Sequence, residues 1–256
     1  MTSLPYRLDR TVRIQATRET VFRFFTDPAR WSSWWGAGST IEARTGGRML
    51  IRHPNGVEVS GEVLEVQAPE RIVFTYGYAS GKPCPPGSSR VSIELEEDAA
   101  GTRLHLSHEF ADEPARDAHV QGWRFQLSLF GNAVANELHA GAAELVDAWF
   151  AAFAEPDETA RAAALAHIAA DHIRFRDRYS LIDGQADLLA QIAAYQRFMS
   201  GVRLQRRGVV RQCQGTAVAD WVAVAPDGTE SSRGTSIFQL GASGLIEAVT
   251  SVRSDE

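Results

Sequence analysis

Three tryptophans within five positions constrain the fold of this 256-residue chain more than any other feature. Trp31, Trp34 and Trp35 lie in the segment DPARWSSWWGAG. In this segment Asp27 can cap a helix, and Pro28 has the fixed φ that suits a first helical position. A short helix is therefore predicted, and it must bury three large indole rings. Those rings either fill a core or close one end of an apolar cavity.

A strand and a helix precede this segment, and a run of short strands follows it. Val12 and Ile14 alternate with polar residues, which is the period of a half-buried strand. Turn residues separate the later strands, and Asn55-Gly56 is the strongest hairpin signal among them. The later strands are predicted at 39–43, 48–53, 57–66, 71–78, 90–98 and 102–110. In residues 115–138 apolar side chains recur every three or four positions, which predicts a long helix lying on an apolar surface. A curved antiparallel sheet around one long C-terminal helix, with a cavity between them, is the expected arrangement.

Aromatic and polar side chains of this first half are candidates to line that cavity. The predicted ligand-binding residues are Trp31, Trp34, Trp35, Tyr76, His108 and Trp123. A lone histidine on an apolar face is more often a satisfied core residue than a catalyst, and both alternatives stay open for His108. Cys84, in the proline-rich segment KPCPPG, is predicted to be exposed. It is either an idle loop thiol or, with Lys82 near enough to favour the thiolate, a reactive one.

The first half resembles a known superfamily through four motifs in order. These are TDPARWSSWW, GEVLEVQAPERIVFTY, GTRLHLSHEF and HVQGWRFQLSLF, which together cover about residues 6–137. They are similar to the SRPBCC (START-like, Bet v 1-like) superfamily, and best to its branch named for the activator of heat-shock protein 90 ATPase. The resemblance implies the helix-grip fold and an internal pocket for an apolar small molecule. A co-chaperone-like protein contact through the sheet surface is an alternative, although chaperone activation does not follow from this domain alone.

The composition shifts to alanine-rich helix after Leu138, which places a domain boundary near residues 139–143. Two domains are therefore predicted, at residues 1–139 and 140–256. In the second domain, helices are expected around 145–153 and at 158–168 and 185–199, with a short extended segment at 172–177. Strands are expected at 202–214, 216–225, 230–240 and 245–253. Helices followed by a strand meander form an α+β pattern.

The second half resembles the SnoaL-like branch of the nuclear transport factor 2-like superfamily. The motifs are FRDRYSLIDGQADLLAQI, RGTSIFQL and GASGLIEAVTSV, within about residues 143–252. The resemblance implies a cone-shaped α+β barrel of curved sheet closed by helices. Members include polyketide cyclases, steroid isomerases, dehydratases and binding modules without catalysis. Domains of this kind commonly pair through their sheets, so a homodimer is among the expected assemblies.

Comparison with the isomerase members suggests candidate catalytic residues in the second half. Asp177 stands at the place of their general base, and Ser236 at the place of a protonated aspartate. Trp149 replaces their oxyanion-binding tyrosine, so the electrophilic half of that machinery is missing and steroid isomerisation is disfavoured. As a base, Asp177 should point into a closed cavity beside a donor such as Ser236 or Tyr195. The alternative is a carboxylate paired with a neighbouring arginine at the rim. The predicted ligand contacts here are Trp149 and Tyr195.

Composition and missing motifs narrow the function classes. The formal net charge is −6 and no basic block is interleaved with aromatic residues, which disfavours a nucleic-acid partner. No apolar run approaches the roughly 20 residues of a membrane span, and the N-terminus lacks an apolar signal core, so a soluble cytoplasmic protein is expected. Cys84 and Cys213 share no metal-type spacing with histidine, so no metal site is predicted. Lys82 is the sole lysine, which suggests a GC-rich bacterial genome.

The leading hypothesis is a two-domain protein whose apolar cavities bind small, largely apolar molecules without demonstrated chemistry. No nucleophile elbow, phosphate loop or dinucleotide fingerprint occurs, so no cofactor is predicted. The first alternative is a cofactor-independent cyclase, isomerase or hydrolase that uses Asp177 as its general base. The second alternative is the protein-binding, co-chaperone-like module.

Overall fold

The computed structural model describes residues 3–254, which divide between Ala135 and Asn136 into two compact units. Each unit combines helices with a sheet, so the predicted α+β class is confirmed. The division falls a few residues before the boundary expected near residues 139–143. It lies inside the last turn of a long helix rather than in a linker.

The first unit is built on a seven-stranded sheet in the described part of the chain. Its elements are β1 Tyr6–Ile14, α1 Arg18–Thr26, α2 Pro28–Trp35, β2 Thr40–Ile41, β3 Arg48–Arg52, β4 Glu58–Gln67, β5 Arg71–Tyr76, β6 Ser89–Asp98, β7 Gly101–Phe110 and α3 Glu113–Leu138. The strand order is β1-β7-β6-β5-β4-β3-β2, and every neighbouring pair is antiparallel. Strands β2 to β7 thus form a meander, and β1 joins it beside β7.

Helix α2, which carries the three tryptophans, begins and ends for the reasons visible in its sequence. The Asp27 carboxylate accepts a hydrogen bond of 2.9 Å from the Arg30 amide, and Pro28 occupies the first turn. The helix ends at Gly36, whose φ of 131° favours glycine. A Cβ atom at Gly36 would also run into the Arg52 carbonyl oxygen. The chain can therefore turn sharply away from the helix only because residue 36 has no side chain.

Aromatic rings from the helices fill the core of the first unit. Phe130 on α3 stacks on Phe25 of α1 with ring centroids 4.8 Å apart, and it meets Trp34 edge to face at 4.9 Å. Trp31 is fully buried and packs edge to face on Phe74 of β5 at 5.8 Å. Aromatic pairs in these geometries stabilise a core beyond the area they bury. The tryptophan segment therefore serves as core packing.

The second unit is built on a six-stranded sheet in the described residues. Its elements are α4 Ala142–Ala154, α5 Glu158–Ile168, β8 Ala169–Arg176, β9 Leu181–Asp183, α6 Gln185–Phe198, β10 Arg203–Cys213, β11 Thr216–Val224, β12 Glu230–Leu240 and β13 Ile246–Arg253. The strand order is β10-β11-β12-β13-β8-β9, in which β13 and β8 are parallel and the other pairs antiparallel. The sequence did not predict β9, because three residues show no alternation.

The aromatic core gives a stability prediction for two phenylalanines of the same helix. Phe130→Ala should lower the free energy of unfolding by about 3–5 kcal/mol, because it removes a buried ring and leaves a cavity. Phe125 is 65% exposed, so Phe125→Ala should change that free energy by no more than about 0.5 kcal/mol. Urea unfolding followed by tryptophan fluorescence measures both. Equal losses in the two variants would contradict this account of the core.

Candidate functional site

The second unit contains a pocket of about 180 Å³. Aromatic side chains form most of its apolar wall, among them Trp149 and Phe153 of α4 and Phe175 of β8. These three rings contact one another, with centroids 5.2 to 6.0 Å apart. Tyr179 contributes to the wall and is largely exposed, so the pocket opens to solvent beside this residue.

Three serines form a polar strip in the pocket opposite the helices. Ser232 and Ser236 come from β12, and Ser251 comes from β13. Ser236 and Ser251 are directly paired across the two strands, and their hydroxyl oxygens are 2.9 Å apart. Since side chains alternate between the faces of a strand, Ser232 and Ser236 share one face. Strand register therefore brings the three hydroxyls into one apolar space.

Asp177 lies at the end of β8 and lines the same pocket as Tyr195 of α6. Its carboxylate accepts a hydrogen bond of 2.8 Å from the Tyr179 amide, which fixes the turn that follows the strand. Burial raises the pKa of the Tyr195 hydroxyl, and the negative charge of Asp177 raises it further, while the charge of Arg253 lowers it. The phenol is therefore neutral near pH 7 and can donate a hydrogen bond.

The four candidates of the second half line one pocket: Asp177, Ser236, Trp149 and Tyr195. Their roles in binding or catalysis stay predictions. Sequence reasoning did not select Ser232, Ser251 or Trp221, which also line the pocket. Ser232 is four residues before Ser236 on one strand, so the alternation rule was a usable signal for it. The positions of Ser251 and Trp221 in the pocket wall depend on the strand register, which cannot be read from the sequence.

The six candidates of the first half also lie together, as a buried aromatic cluster. Trp35 lies 5.7 Å from Trp123, ring centroid to ring centroid, and Trp123 lies 5.9 Å from His108. Tyr76 meets the His108 ring edge to face at 5.1 Å. Each of these side chains is at least nine-tenths buried. The cluster therefore consists of side chains in contact with one another.

A chain of hydrogen bonds holds His108 within this cluster. The Trp123 indole N–H donates to His108 Nδ1 at 2.9 Å, so the ring proton of the neutral imidazole is on Nε2. That N–H donates to the Ser89 hydroxyl at 2.8 Å, and Ser89 in turn donates to the Tyr76 carbonyl oxygen at 2.8 Å. Burial holds the pKa of His108 well below its usual value, and the nearby His119 lowers it further. Both ring nitrogens are occupied by protein partners, as in a satisfied core histidine.

The prediction that Cys84 is exposed is wrong. Cys84 is buried, because its loop folds back on the end of β5, where the Tyr78 amide donates to the Cys84 carbonyl at 2.8 Å. The thiol lies 3.9 Å from the Ser89 hydroxyl. Burial raises the pKa of this thiol, which disfavours the thiolate.

Within residues 3–254, no group of three His, Cys, Asp or Glu side chains is placed to hold a metal ion. None of the helices in that range has the length and apolar character needed to cross a membrane.

Comparisons with known proteins bear on both halves of the chain. Residues 15–134 match the family model described as activator of Hsp90 ATPase homolog 1-like protein. A putative isomerase of the SnoaL-like family from Agrobacterium tumefaciens is 23% identical, with 46% of this chain and 98% of that chain covered and a TM-score of 0.43. Both resemblances recognised in the sequence thus recur among the matches.

Two further solved structures are similar to parts of the chain. CalU16 from Micromonospora echinospora is 26% identical, with 52% of this chain and 76% of that chain covered and a TM-score of 0.41. The Aha1 dimer from Colwellia psychrerythraea is 16% identical, with 50% of this chain and 96% of that chain covered and a TM-score of 0.44. No match was found among curated proteins.

The buried His108 predicts a pH dependence of stability. Its folded pKa lies below the usual 6.5, so the unfolded state binds more protons once the pH falls below that value. Stability should therefore fall between about pH 7.5 and pH 5.5, with up to about 1.4 kcal/mol of the loss due to His108. Urea midpoints at the two pH values measure the loss, and His108→Gln should lose less by that amount. Identical pH dependence in the two proteins would mean that folded His108 takes up the proton.

Proposed function

We propose that this two-domain protein binds small, largely apolar molecules, and that the pocket of the second unit is the working site. In this proposal residues 1–139 form a helix-grip domain and residues 140–256 a cone-shaped domain. The observation that supports it is an apolar pocket with a few convergent polar groups, the usual design of a small-molecule site. In the first unit, by contrast, the candidate rings pack against one another, and the tryptophan segment fills a core.

The pocket volume limits the size of the ligand. About 180 Å³ is slightly more than the roughly 150 Å³ of an apolar cavity that binds benzene, and less than the roughly 300–1,000 Å³ of drug-sized sites. A molecule of one or two rings therefore fits inside, whereas a four-ring steroid would extend out of the opening. The expected ligand is accordingly a small aromatic or alicyclic compound.

Thermal shifts with size-graded probes test this proposal. Cumene, a single-ring hydrocarbon, should raise Tm by several degrees at saturation, since a ligand at 100 times its Kd stabilises by about 2.7 kcal/mol. Ser232→Leu places a larger side chain in the pocket and should abolish this shift. Ser231→Leu changes an exposed neighbour and should retain it. If no one- or two-ring probe stabilises the protein, or if a steroid alone does, the size class or the binding role is wrong.

A second candidate function is proton transfer at a carbon beside a carbonyl group. The supporting observation is that the Asp177 carboxylate and the neutral Tyr195 phenol line the same pocket. Asp177 would accept the proton, and the electron pair of the broken C–H bond would move onto the carbonyl oxygen. Tyr195 would stabilise the resulting enolate by donating a hydrogen bond to that oxygen. Return of a proton to the same carbon gives exchange, and for an unsaturated ketone its return to the far end of the conjugated enolate gives isomerisation, in both cases without a cofactor.

Hydrogen–deuterium exchange of a cyclic ketone tests this chemistry. The protein should accelerate exchange of the α-hydrogens of cyclohexanone in D₂O, followed by NMR, above the buffer rate. Asp177→Asn should reduce the protein-dependent rate at least about 10²-fold, the lower end of general-base contributions. Asp183→Asn, an exposed carboxylate on β9 that does not line this pocket, is the matched control and should retain the rate. An unchanged rate in Asp177→Asn would remove Asp177 as the base.

Two partner hypotheses remain alongside ligand binding. The description of the family matched by residues 15–134 motivates a chaperone contact by the first domain. The resemblance of the second half motivates a homodimer that pairs through its sheets. Both stay predictions, and neither is needed for the pocket of the second unit.

A further inference from the structure

Trp221 has a buried donor without a partner in the wall of the pocket. The side chain is only 7% exposed, and its indole N–H donates to no group among residues 3–254. A buried donor that stays unpaired is costly, and native proteins pair nearly all of them. The Trp221 N–H is therefore suited to a ligand that brings an acceptor.

The position of this indole is set by a glycine on the neighbouring strand. Trp221 of β11 is the register partner of Gly234 of β12. A Cβ atom built on Gly234 would lie 2.8 Å from indole Cε2, the carbon bonded directly to the N–H nitrogen. The indole thus lies over Gly234, on the strand face that carries Ser232 and Ser236 two residues to either side. Glycine at this position allows the ring and its N–H to lie against the serine strip.

The Ser236–Ser251 pair supplies a second donor to the same wall. One hydroxyl donates to the other across 2.9 Å, which uses one of the two hydroxyl protons. In the described part of the chain the remaining proton has no acceptor assigned to it. Ser236 is buried and both serines line the pocket. The pair can therefore donate one hydrogen bond to a guest without losing its own bond.

We propose that Trp221 and the Ser236–Ser251 pair form a binding site for an oxygen acceptor, and that the ligand is a small ring compound with a carbonyl group. This inference rests on the proposed function, because it requires a molecule in the second-unit pocket. Two neutral donors match a neutral carbonyl oxygen, which has two lone pairs and no proton. The surrounding aromatic wall matches the ring to which that carbonyl is attached. The acceptor end of the ligand lies against the sheet, and its apolar end lies against the helices.

Acetophenone and cumene form a matched pair of probes, because they differ mainly by a carbonyl oxygen in place of a methyl group. The Kd of each probe is measured with the whole chain, and the ratio of the acetophenone Kd to the cumene Kd is taken for every variant. The two probes differ in hydration, but this difference is the same for all variants and cancels when their ratios are compared. Trp221→Phe should shift this ratio about fivefold against the ketone, the effect of one hydrogen bond. The double substitution of Ser236→Ala with Ser251→Ala, which removes both hydroxyl protons, should shift it in the same direction. Thr250→Ala, an exposed neighbour of Ser251 on β13, should leave the ratio unchanged.

A direct readout comes from the indole N–H resonances of ¹⁵N-labelled protein. The Trp221 resonance is identified by its absence in Trp221→Phe, and circular dichroism confirms that each variant is folded. Acetophenone should move this resonance downfield, as expected for a new hydrogen bond, whereas cumene should not.

The outcomes separate the two proposals. If cumene and acetophenone both bind, but the ratio is unchanged in the variants and the Trp221 resonance does not respond to the ketone, the acceptor site is wrong and small-molecule binding stands. If neither probe binds, the proposed function fails and this inference fails with it.

Discussion

Strand register is the constraint on which both units depend. Because side chains alternate between the two faces of a strand, a slip of one residue would exchange every inward side chain for an outward one. In the second unit the register pairs Ser236 with Ser251 on one side and Trp221 with Gly234 on the other. The pocket wall therefore depends on the correct pairing of β11, β12 and β13. The buried rings of Phe175 and Phe238 resist such a slip, because it would carry them from the core into water.

The two units use their aromatic residues differently. In the first, rings of α1, α2 and α3 contact one another and the sheet, and the buried polar groups of His108, Ser89 and Trp123 are satisfied among themselves. In the second, the rings of α4 surround a space, and at least one buried donor, on Trp221, is left unpaired. Buried nitrogens without a partner occur in the first unit as well, at Trp35 Nε1 and His119 Nε2, so such a group does not by itself mark a binding site. The functional proposal rests on the second unit because the unpaired Trp221 belongs to the wall of an apolar pocket.

Most of the elements could be predicted from the sequence because their signals are local. The cap at Asp27, the turn at Asn55-Gly56 and the apolar spacing of α3 each act within a few residues. The misses have physical reasons. Strand β9 is too short to show a period, and the burial of Cys84 depends on a loop folding back on β5. In the pocket, Asp177 and Tyr195 could be selected from chemistry and resemblance, whereas Trp221 as a donor required knowing which residue stands opposite it.

The parallel pairing of β13 with β8 has a consequence for folding during synthesis of the protein. Strand β13 is the last of the described strands along the chain, yet it lies between β12 and β8 in the sheet. On the ribosome, both flanks of this sheet emerge before the strand that joins them, and each has an unsatisfied edge until then. Closure must wait for residues 246–253, and only then do the walls that carry Ser236 and Asp177 face one interior. A nascent chain that stalls before β13 is synthesised has two partial sheets with unpaired, aggregation-prone edges, and it has no enclosed pocket.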